Sequence, residues 1–248
     1  MSLPLLKMFL KKNWLIWVGF TVFFLFELLA CIFLMDMIDG LEVLGISGGE
    51  GTLYFMSTVM PLLGYMFPMV FYIFIVYRVI FRPIDSTSMG TVLSSGIKRT
   101  TYISTAVVFL IVSLFAMFTT VFVVCGASML YWGAFNWGKW ALMCFSVMLA
   151  TMVVAFISFF FASAFSPGNI AKLGFIGLPV LFLVLTMIGF QMGSDFFMYL
   201  SPFGWMDMTK LVMGTLKYWW LFNIGFMVTS GILITASIIM FKRKQFSI

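Results

Sequence analysis

Six long apolar runs restrict what this chain can fold into: Trp14–Met35, Ser57–Tyr77, Tyr102–Cys125, Trp140–Phe165, Leu173–Gln191 and Trp219–Phe241. A helix needs about 20 mostly apolar residues to cross a bilayer, and each run is close to that length. Because backbone amides cannot stay unpaired in hydrocarbon, each run is predicted to be a transmembrane helix. The alternating ten-residue pattern of an outer-membrane barrel is absent.

The composition agrees with a membrane protein and argues against catalysis. Hydrophobic residues make up 63% of the 248 residues and charged residues 9%, whereas soluble domains have about 45–50% and about 25%. The chain has no histidine and only eight carboxylates, which argues against metal sites and histidine-dependent acid–base chemistry. We therefore expect no catalytic residue, no metal and no nucleic-acid partner.

The distribution of basic residues predicts the orientation. Six spans place both termini on one side of the membrane, and cytoplasmic segments carry the excess of lysine and arginine. Eleven basic residues fall on the side of the termini and only Lys139, Lys210 and Lys217 on the other, so both termini are predicted to be cytoplasmic. The eleven are Lys7, Lys11, Lys12, Arg78, Arg82, Lys98, Arg99, Lys172, Lys242, Arg243 and Lys244.

The chain is predicted to form one all-α polytopic domain, residues 1–248, because no internal repeat or linker divides it. In residues 1–13, Lys7 and Lys11 are one turn apart, and a second face carries Leu3, Leu6 and Leu10. This pattern predicts an amphipathic helix in the cytoplasmic interface before the first span.

The segment Phe81–Thr101 is the largest predicted cytoplasmic loop and has helical periodicity. Asp85 or Ser86 is suited to cap a helix at its start, and Gly96 to end it. Its apolar stripe must bury against something, and both the membrane surface and the groove of a soluble partner remain open. The stripe consists of Met89, Val92, Leu93 and Ile97.

Four stretches give the chain a resemblance to a known family: "LPLLKMFLKKNW", "DSTSMGTVLSSGIKRTTYIS", "GLPVLFLVL" and "YLSPFGWMD". With these, it resembles a type-2 ATP-binding-cassette (ABC) permease, the membrane subunit of bacterial ABC exporters. In that family the loop after the second span forms a coupling helix that docks on a separate ATPase subunit. Many relatives have "ATP" or "STP" where this chain has "SSG", so the proline that stiffens the turn is missing. The resemblance implies these coupling residues: Asp85, Met89, Gly90, Val92, Leu93, Ser94, Lys98 and Arg99.

The resemblance also implies the function and the partners. The expected protein is a multi-pass permease of the bacterial cytoplasmic membrane that exports a hydrophobic or amphipathic peptide or drug. A second permease, identical or related, and two ATPase subunits holding ATP and Mg²⁺ complete the transporter. The chain has no GxxxxGK[ST] motif for hydrolysing ATP itself, and "GISGGEGT" at Gly45–Thr52 lacks the lysine and is interpreted as a flexible external turn. The alternatives are a gradient-driven secondary transporter and a non-transporting membrane anchor or sensor.

Glu27 is the one ionisable residue well inside a predicted span. A carboxylate at that depth is costly and is a functional-site hypothesis by default. Proton relays usually need a chain of acidic or histidine residues, and the other five spans offer no carboxylate. A role in substrate passage or gating and a purely structural role both remain open.

The segment Gly193–Tyr218 is neither a span nor a simple loop. It breaks at Pro202 and Gly204, and Asp207 is predicted to cap a helix that carries an apolar stripe of Met208, Leu211, Val212 and Leu216. The resemblance implies short external helices that close the outer mouth, whereas the residues alone also fit a surface helix with an aromatic belt. The candidate gate residues are Pro202, Phe203, Asp207 and Leu211.

Overall fold

The structure is a computed structural model that describes residues 2–34, 48–86, 89, 94, 96–166 and 168–244. Within these residues the regular structure is entirely helical. Six helices among them are long and apolar enough to cross a membrane. The predicted all-α architecture is therefore confirmed, with six helices long and apolar enough to span a membrane. We label the six long helices α1 to α6.

The observed helices agree with the predicted runs and generally extend beyond them. Two short elements, Asn169–Lys172 and the π-helical turn Leu173–Gly177, lead directly into the fifth long helix. The short loop "SPGNIAK" at residues 166–172 is predicted from its length to be a plain turn or a second contact with the partner; the structure makes its second half helical. The six long helices are α1 (Leu3–Leu34), α2 (Gly48–Val76), α3 (Arg99–Met129), α4 (Trp137–Ala164), α5 (Leu178–Met192) and α6 (Trp219–Arg243).

The predicted interfacial helix is not a separate element, because residues 3–13 form the first turns of α1. At about 1.5 Å per residue, the 32 residues of α1 span roughly 48 Å, which exceeds the hydrocarbon thickness of about 30 Å. Leu5, Phe9 and Asn13 face the bundle, while Lys7 and Lys11 are exposed. The helical prediction is confirmed, and the position of these turns in the interface stays a prediction.

The glycine-rich stretch at residues 45–52 differs from the flexible turn that was expected. Residues 45–47 lie outside the described residues, but Gly48–Thr52 is the first part of α2. A Cβ on Gly49 would lie 2.3 Å from the carbonyl oxygen of Gly133, so only glycine allows this approach to the turn before α4. Glu50 in the first turn also suits the positive end of the helix dipole. Packing against that turn therefore overrides the local preference of the glycines.

The centre of the bundle is α4. In its most hydrophobic 18-residue stretch 78% of the residues are buried, compared with 22% in α1 and in α6. It packs against α2, α3 and α6, and α1 packs against α2 and α3. Because α1, α5 and α6 expose much of their apolar surface, they form the periphery of the bundle.

Candidate functional site

The candidate coupling loop follows α2 at the end of the bundle that carries most of the basic residues, which we call the basic end. Before the loop, the backbone widens into a π-helical turn at Tyr77–Phe81 and then forms one short α-helical turn at Arg82–Asp85. The backbone N–H of Ser86 donates to the carbonyl of Arg82 at 2.9 Å. Single π-helical turns occur frequently at functional sites. We call residues 82–98 the basic loop.

The structure places only part of the predicted coupling set. Asp85, Ser94 and Lys98 are exposed, whereas Met89 is 1% exposed and belongs to the core of the bundle. Gly90, Val92 and Leu93 lie outside the described residues, so the predicted coupling helix remains a prediction. Met89 thus anchors the basic loop on its own chain, and Asp85, Ser94 and Lys98 stay accessible.

The exit of the basic loop agrees with its sequence. Gly96 has a φ of +84°, the left-handed region that favours glycine, as expected for a residue that ends a helical stretch. Lys98 then takes the N-cap position of α3 in an extended conformation. A left-handed glycine next to an extended residue turns the chain sharply into α3.

A hydrogen bond closes the base of the basic loop. The hydroxyl of Tyr102, on the first turn of α3, donates to the carbonyl of Val79 in the π-helical turn at 2.6 Å. The ring of Tyr102 also contacts Phe9 of α1 at a centroid distance of 5.6 Å and stacks on Phe241 of α6 at 6.3 Å. Both ends of the loop are thereby tied to each other and to α1 and α6.

A second set of contacts joins α3, α4 and α6 around Lys244, the residue after α6. Its carbonyl accepts a hydrogen bond from Arg99 Nη1 at 2.6 Å. Its ammonium donates to the carbonyls of Ser163 and Phe165 at the end of α4, where the helix dipole favours a cation. Burial lowers the pKa of Lys244 to about 8. We call Arg99, Lys244, Ser163 and Phe165 the basic-end clamp.

The second loop at the basic end is also fixed to the first. Phe81, the last residue of the π-helical turn after α2, contacts Phe175 in the π-helical turn before α5, with ring centroids 4.8 Å apart. Gly174 approaches Phe161 of α4 so closely that a Cβ would lie 2.1 Å from its ring. A displacement of the basic loop is therefore transmitted through these contacts to α2, α3, α4, α5 and α6.

Sequence reasoning identified Arg99 but not its partner, and it missed Val79, Tyr102 and Lys244. A basic residue after the last turn of a helix is a signal for binding exposed carbonyls, and "FKRKQ" at the end of α6 provides three such residues. That signal does not show which of the three turns back or which helix it caps. The hydrogen bond from Tyr102 has no local signal, because its acceptor is a backbone carbonyl.

The segment Gly193–Tyr218, which we call the cap segment, folds back against the other end of the bundle. It contains short helical elements at Asp195–Tyr199, Pro202–Gly204 and Met208–Val212. Asp207 Oδ1 accepts hydrogen bonds from the backbone N–H groups of Thr209 and Lys210 at 3.0 and 3.1 Å. The predicted Asp207 cap and the helix that follows it are therefore confirmed.

The side chain of Phe203, in the cap segment, is buried against the long helices. Its ring stacks on Tyr65 of α2 at 4.4 Å, and Tyr65 lies about 25 Å along α2 from Gly48 at 1.5 Å per residue. Pro202 and Leu211 of the same segment are also buried. Irregular backbone at such depth is tolerated only where it is buried in protein or lines a cavity. All four candidate gate residues thus belong to a segment that penetrates the bundle.

Close backbone packing holds the cap segment in place. A Cβ on Gly204 would lie 2.2 Å from the carbonyl oxygen of Met198, and one on Gly189 of α5 would lie 2.5 Å from the Met198 side chain. Trp205 stacks on Phe226 of α6 at 5.7 Å. The cap segment is therefore in contact with α2, α5 and α6.

Glu27 is half-buried on α1, seven residues before the helix ends. The residues that the structure describes give it no hydrogen bond and no salt bridge; the ion pair they contain joins Lys210 to Asp207. They also contain no group of histidine, cysteine, aspartate or glutamate residues suited to hold a metal ion. The structure therefore does not bring Glu27 together with any other candidate residue.

No family model, curated protein or solved structure matches the chain. The resemblance to ABC permeases accordingly rests on the sequence motifs alone.

Proposed function

We propose that the chain is the transmembrane permease subunit of a bacterial ABC exporter. It lies in the cytoplasmic membrane with both termini in the cytoplasm and moves a hydrophobic or amphipathic peptide or drug outward. ATP is hydrolysed, with Mg²⁺, by two copies of a separate ATPase subunit, and a second permease completes the pathway. The observation that carries the proposal is the basic loop, whose accessible polar residues stand on a base tied to the bundle.

The contacts at the base of the loop suit force transmission. A partner that grips Asp85, Ser94 or Lys98 pulls on a loop whose ends are joined by the hydrogen bond between Tyr102 and Val79. Arg99 passes the displacement to the end of α6, and Lys244 passes it to the end of α4. Proteins switch between discrete arrangements because packed interfaces are bistable. Closure of the ATPase pair therefore tilts the helices as a group.

The cap segment supplies the opposite gate in this proposal. Phe203 and the residues around it fill the space between α2 and its neighbours, so an outward-open state requires Phe203 to leave Tyr65. In alternating access, the opening and closing of the two ends of the bundle are coupled. ATP-driven closure of the ATPase pair at the basic end favours the state in which the cap segment is displaced. The ligand that drives this change is ATP on the partner, because only differential binding shifts such an equilibrium.

Site-specific crosslinking tests the proposal. Cys125 and Cys144 are buried and Cys31 is partly buried, so replacing all three with alanine gives a background for introduced cysteines. Ser94→Cys, which is exposed on the basic loop, is expected to crosslink to a co-purifying subunit with a Walker motif. Thr215→Cys, exposed in the cap segment, is the matched control and is expected to give no such product.

Co-purification of the chain from membranes of the native host is a second test of the proposal. A detergent extract, including a crosslinked sample, that never contains a Walker-motif subunit would overturn it. Transport that continues without any ATPase and stops when the proton gradient is collapsed would instead establish the gradient-driven alternative.

A further inference from the structure

A narrow groove lies between α1 and α3, beside the basic end. Its volume is about 160 Å³, and its walls are Leu10, Asn13, Trp14, Trp17, Phe109, Val112, Ser113 and Ala116. Sites for drug-sized ligands are typically about 300–1,000 Å³, so this groove is too small for one. Its apolar walls and elongated setting between two helices suit a single acyl chain.

Polar contacts fix the two walls of the groove relative to each other. Trp17 Nε1 on α1 donates to the carbonyl of Ser113 on α3 at 2.9 Å. Nearer the N-terminus of α1, the backbone N–H of Ser2 donates to Thr105 Oγ1 on α3 at 3.1 Å. Hydrogen bonds therefore join α1 to α3 within the groove at Trp17 and again beyond it, near the N-terminus of α1.

Two lysines that form no salt bridge with any described residue lie beside the groove. Lys7 and Lys11 are exposed. Lys7 lies three residues before the groove residue Leu10, and Lys11 three residues before the groove residue Trp14. Residues three apart are neighbours on a helix surface, so each lysine lies next to one groove residue. Neither lysine forms a salt bridge with any described residue. The carboxylate on the described part of α1 is Glu27, about 24 Å from Lys11 along the helix.

Asn13 provides a second polar feature inside the groove wall. It is 2% exposed, and its Nδ2 donates to the carbonyl of Phe9 at 2.8 Å. Its Oδ1 has no hydrogen-bond partner among the described residues. A buried acceptor without a donor is costly, and a lipid hydroxyl that enters the groove beside Asn13 would supply the missing donor.

We propose that this groove binds one anionic phospholipid from the membrane leaflet at the basic end, with an acyl chain between α1 and α3. Lys7 and Lys11 hold the phosphate, and Trp14 marks the interface between headgroup and hydrocarbon, where tryptophan is enriched. Phosphatidylglycerol is the headgroup that matches both the cations and the unpaired Asn13 oxygen. The site does not depend on an ATPase or on transport.

Native mass spectrometry of the purified chain in detergent tests the site, with phosphatidylglycerol and phosphatidylcholine of the same acyl chains as probes. We expect one tightly retained phosphatidylglycerol per chain and no retained phosphatidylcholine. Each lysine near an anionic surface contributes about fivefold in affinity, so Lys7→Gln with Lys11→Gln is expected to weaken phosphatidylglycerol binding about thirtyfold. Lys242→Gln with Arg243→Gln removes the same charge from the same end and is expected to change it little.

A second pair of variants tests the groove without changing charge. Val112→Trp fills the groove from α3 and is expected to abolish the retained lipid. Val123→Trp is the control, because Val123 lies on the same helix, is 55% exposed where Val112 is 45% exposed, and is outside the groove. Both positions are exposed on the helix surface, so the larger ring does not require repacking of the core.

Two results would overturn the proposal. The first is an equal loss of phosphatidylglycerol binding in the Lys242 and Lys7 double variants, which would indicate attraction to the general surface charge. The second is retained binding in Val112→Trp. If that variant also loses a crosslinked dimer, a second copy of the chain covers the groove instead of a lipid.

Discussion

The guanidinium of Arg99 donates a hydrogen bond of 2.6 Å to the backbone carbonyl of Lys244, 145 residues further along the chain. The two residues stand at the start of α3 and just beyond the end of α6. Since Lys244 also binds the final carbonyls of α4, one residue connects three helices at the basic end. Arg99 is the last residue of "IKR" and directly follows the basic loop, which therefore ends on this connection.

Arg99→Met is expected to destabilise the protein, because it removes a charged donor from a partly buried carbonyl. Hydrogen bonds to charged groups contribute about 1.5–3 kcal/mol. The thermal unfolding temperature of the purified protein in detergent measures this, and Lys242→Met serves as the control because Lys242 is exposed. An equal loss of stability in the two variants would show that the hydrogen bond from Arg99 to Lys244 does not contribute measurably to stability.

Much of the fold follows from the sequence, because apolar length and the need to pair backbone amides leave few solutions for the six runs. The same local physics predicted the Asp207 cap and the end of the basic loop at Gly96. It failed at Gly48–Thr52, where the close approach of Gly49 to Gly133 makes a glycine-rich stretch helical. Contacts such as Tyr102 to Val79 are set by tertiary packing, so no local pattern in the sequence predicts them.

Lys244 is expected to react with amine-directed acetylating reagents at a lower pH than an ordinary lysine. Burial lowers its pKa to about 8, so about half of its amines are neutral at pH 8, compared with roughly 0.4% for a pKa of about 10.4. Mass spectrometry of the protein labelled between pH 6 and 10 gives the midpoint for Lys244, with exposed Lys242 followed in the same samples. A pH midpoint for Lys244 that is no lower than that of Lys242 would contradict the lowered pKa.

The same pKa sets the sign of the pH effect on stability. The unfolded chain keeps the Lys244 proton up to about pH 10.4, whereas the folded chain releases it near pH 8. Between these values the unfolded state binds more protons, so this group alone makes the free energy of unfolding rise with pH. Lys244→Met is expected to flatten that rise in unfolding measurements between pH 8 and 10.

Phe203→Ala is expected to loosen the cap segment more than any change on its surface. The variant removes the stacked contact with Tyr65, about 0.5–1.5 kcal/mol for an aromatic pair, and leaves a cavity between α2 and the cap segment. Limited proteolysis of residues 193–218 and thermal unfolding report the change. Phe196→Ala is the control, because Phe196 is in the same segment and is 67% exposed; equal effects would argue against a buried anchor.

Gly204→Ala and Gly231→Ala are expected to have opposite effects. At Gly204 the added methyl group meets the backbone of Met198 at 2.2 Å, so the cap segment must shift. At Gly231 in α6 no atom lies within 4 Å of the new Cβ, and replacing a helical glycine by alanine stabilises by up to about 1 kcal/mol. Unfolding temperatures of the two variants separate steric conflict from helix propensity, and a stable Gly204→Ala would show that the close approach is not required.

Glu27→Gln is expected to leave export unchanged, because the proposed energy source is the partner ATPase and no described residue pairs with Glu27 to form a proton relay. Glutamine keeps the size of the side chain and its capacity for hydrogen bonds, so the structural role survives the change. Efflux of a fluorescent amphipathic peptide from cells that express the chain with its ATPase measures export, and immunoblotting of membranes measures the protein level. If export falls while the membrane level stays the same, the carboxylate itself takes part in substrate passage, and its half-buried position on α1 becomes part of the pathway.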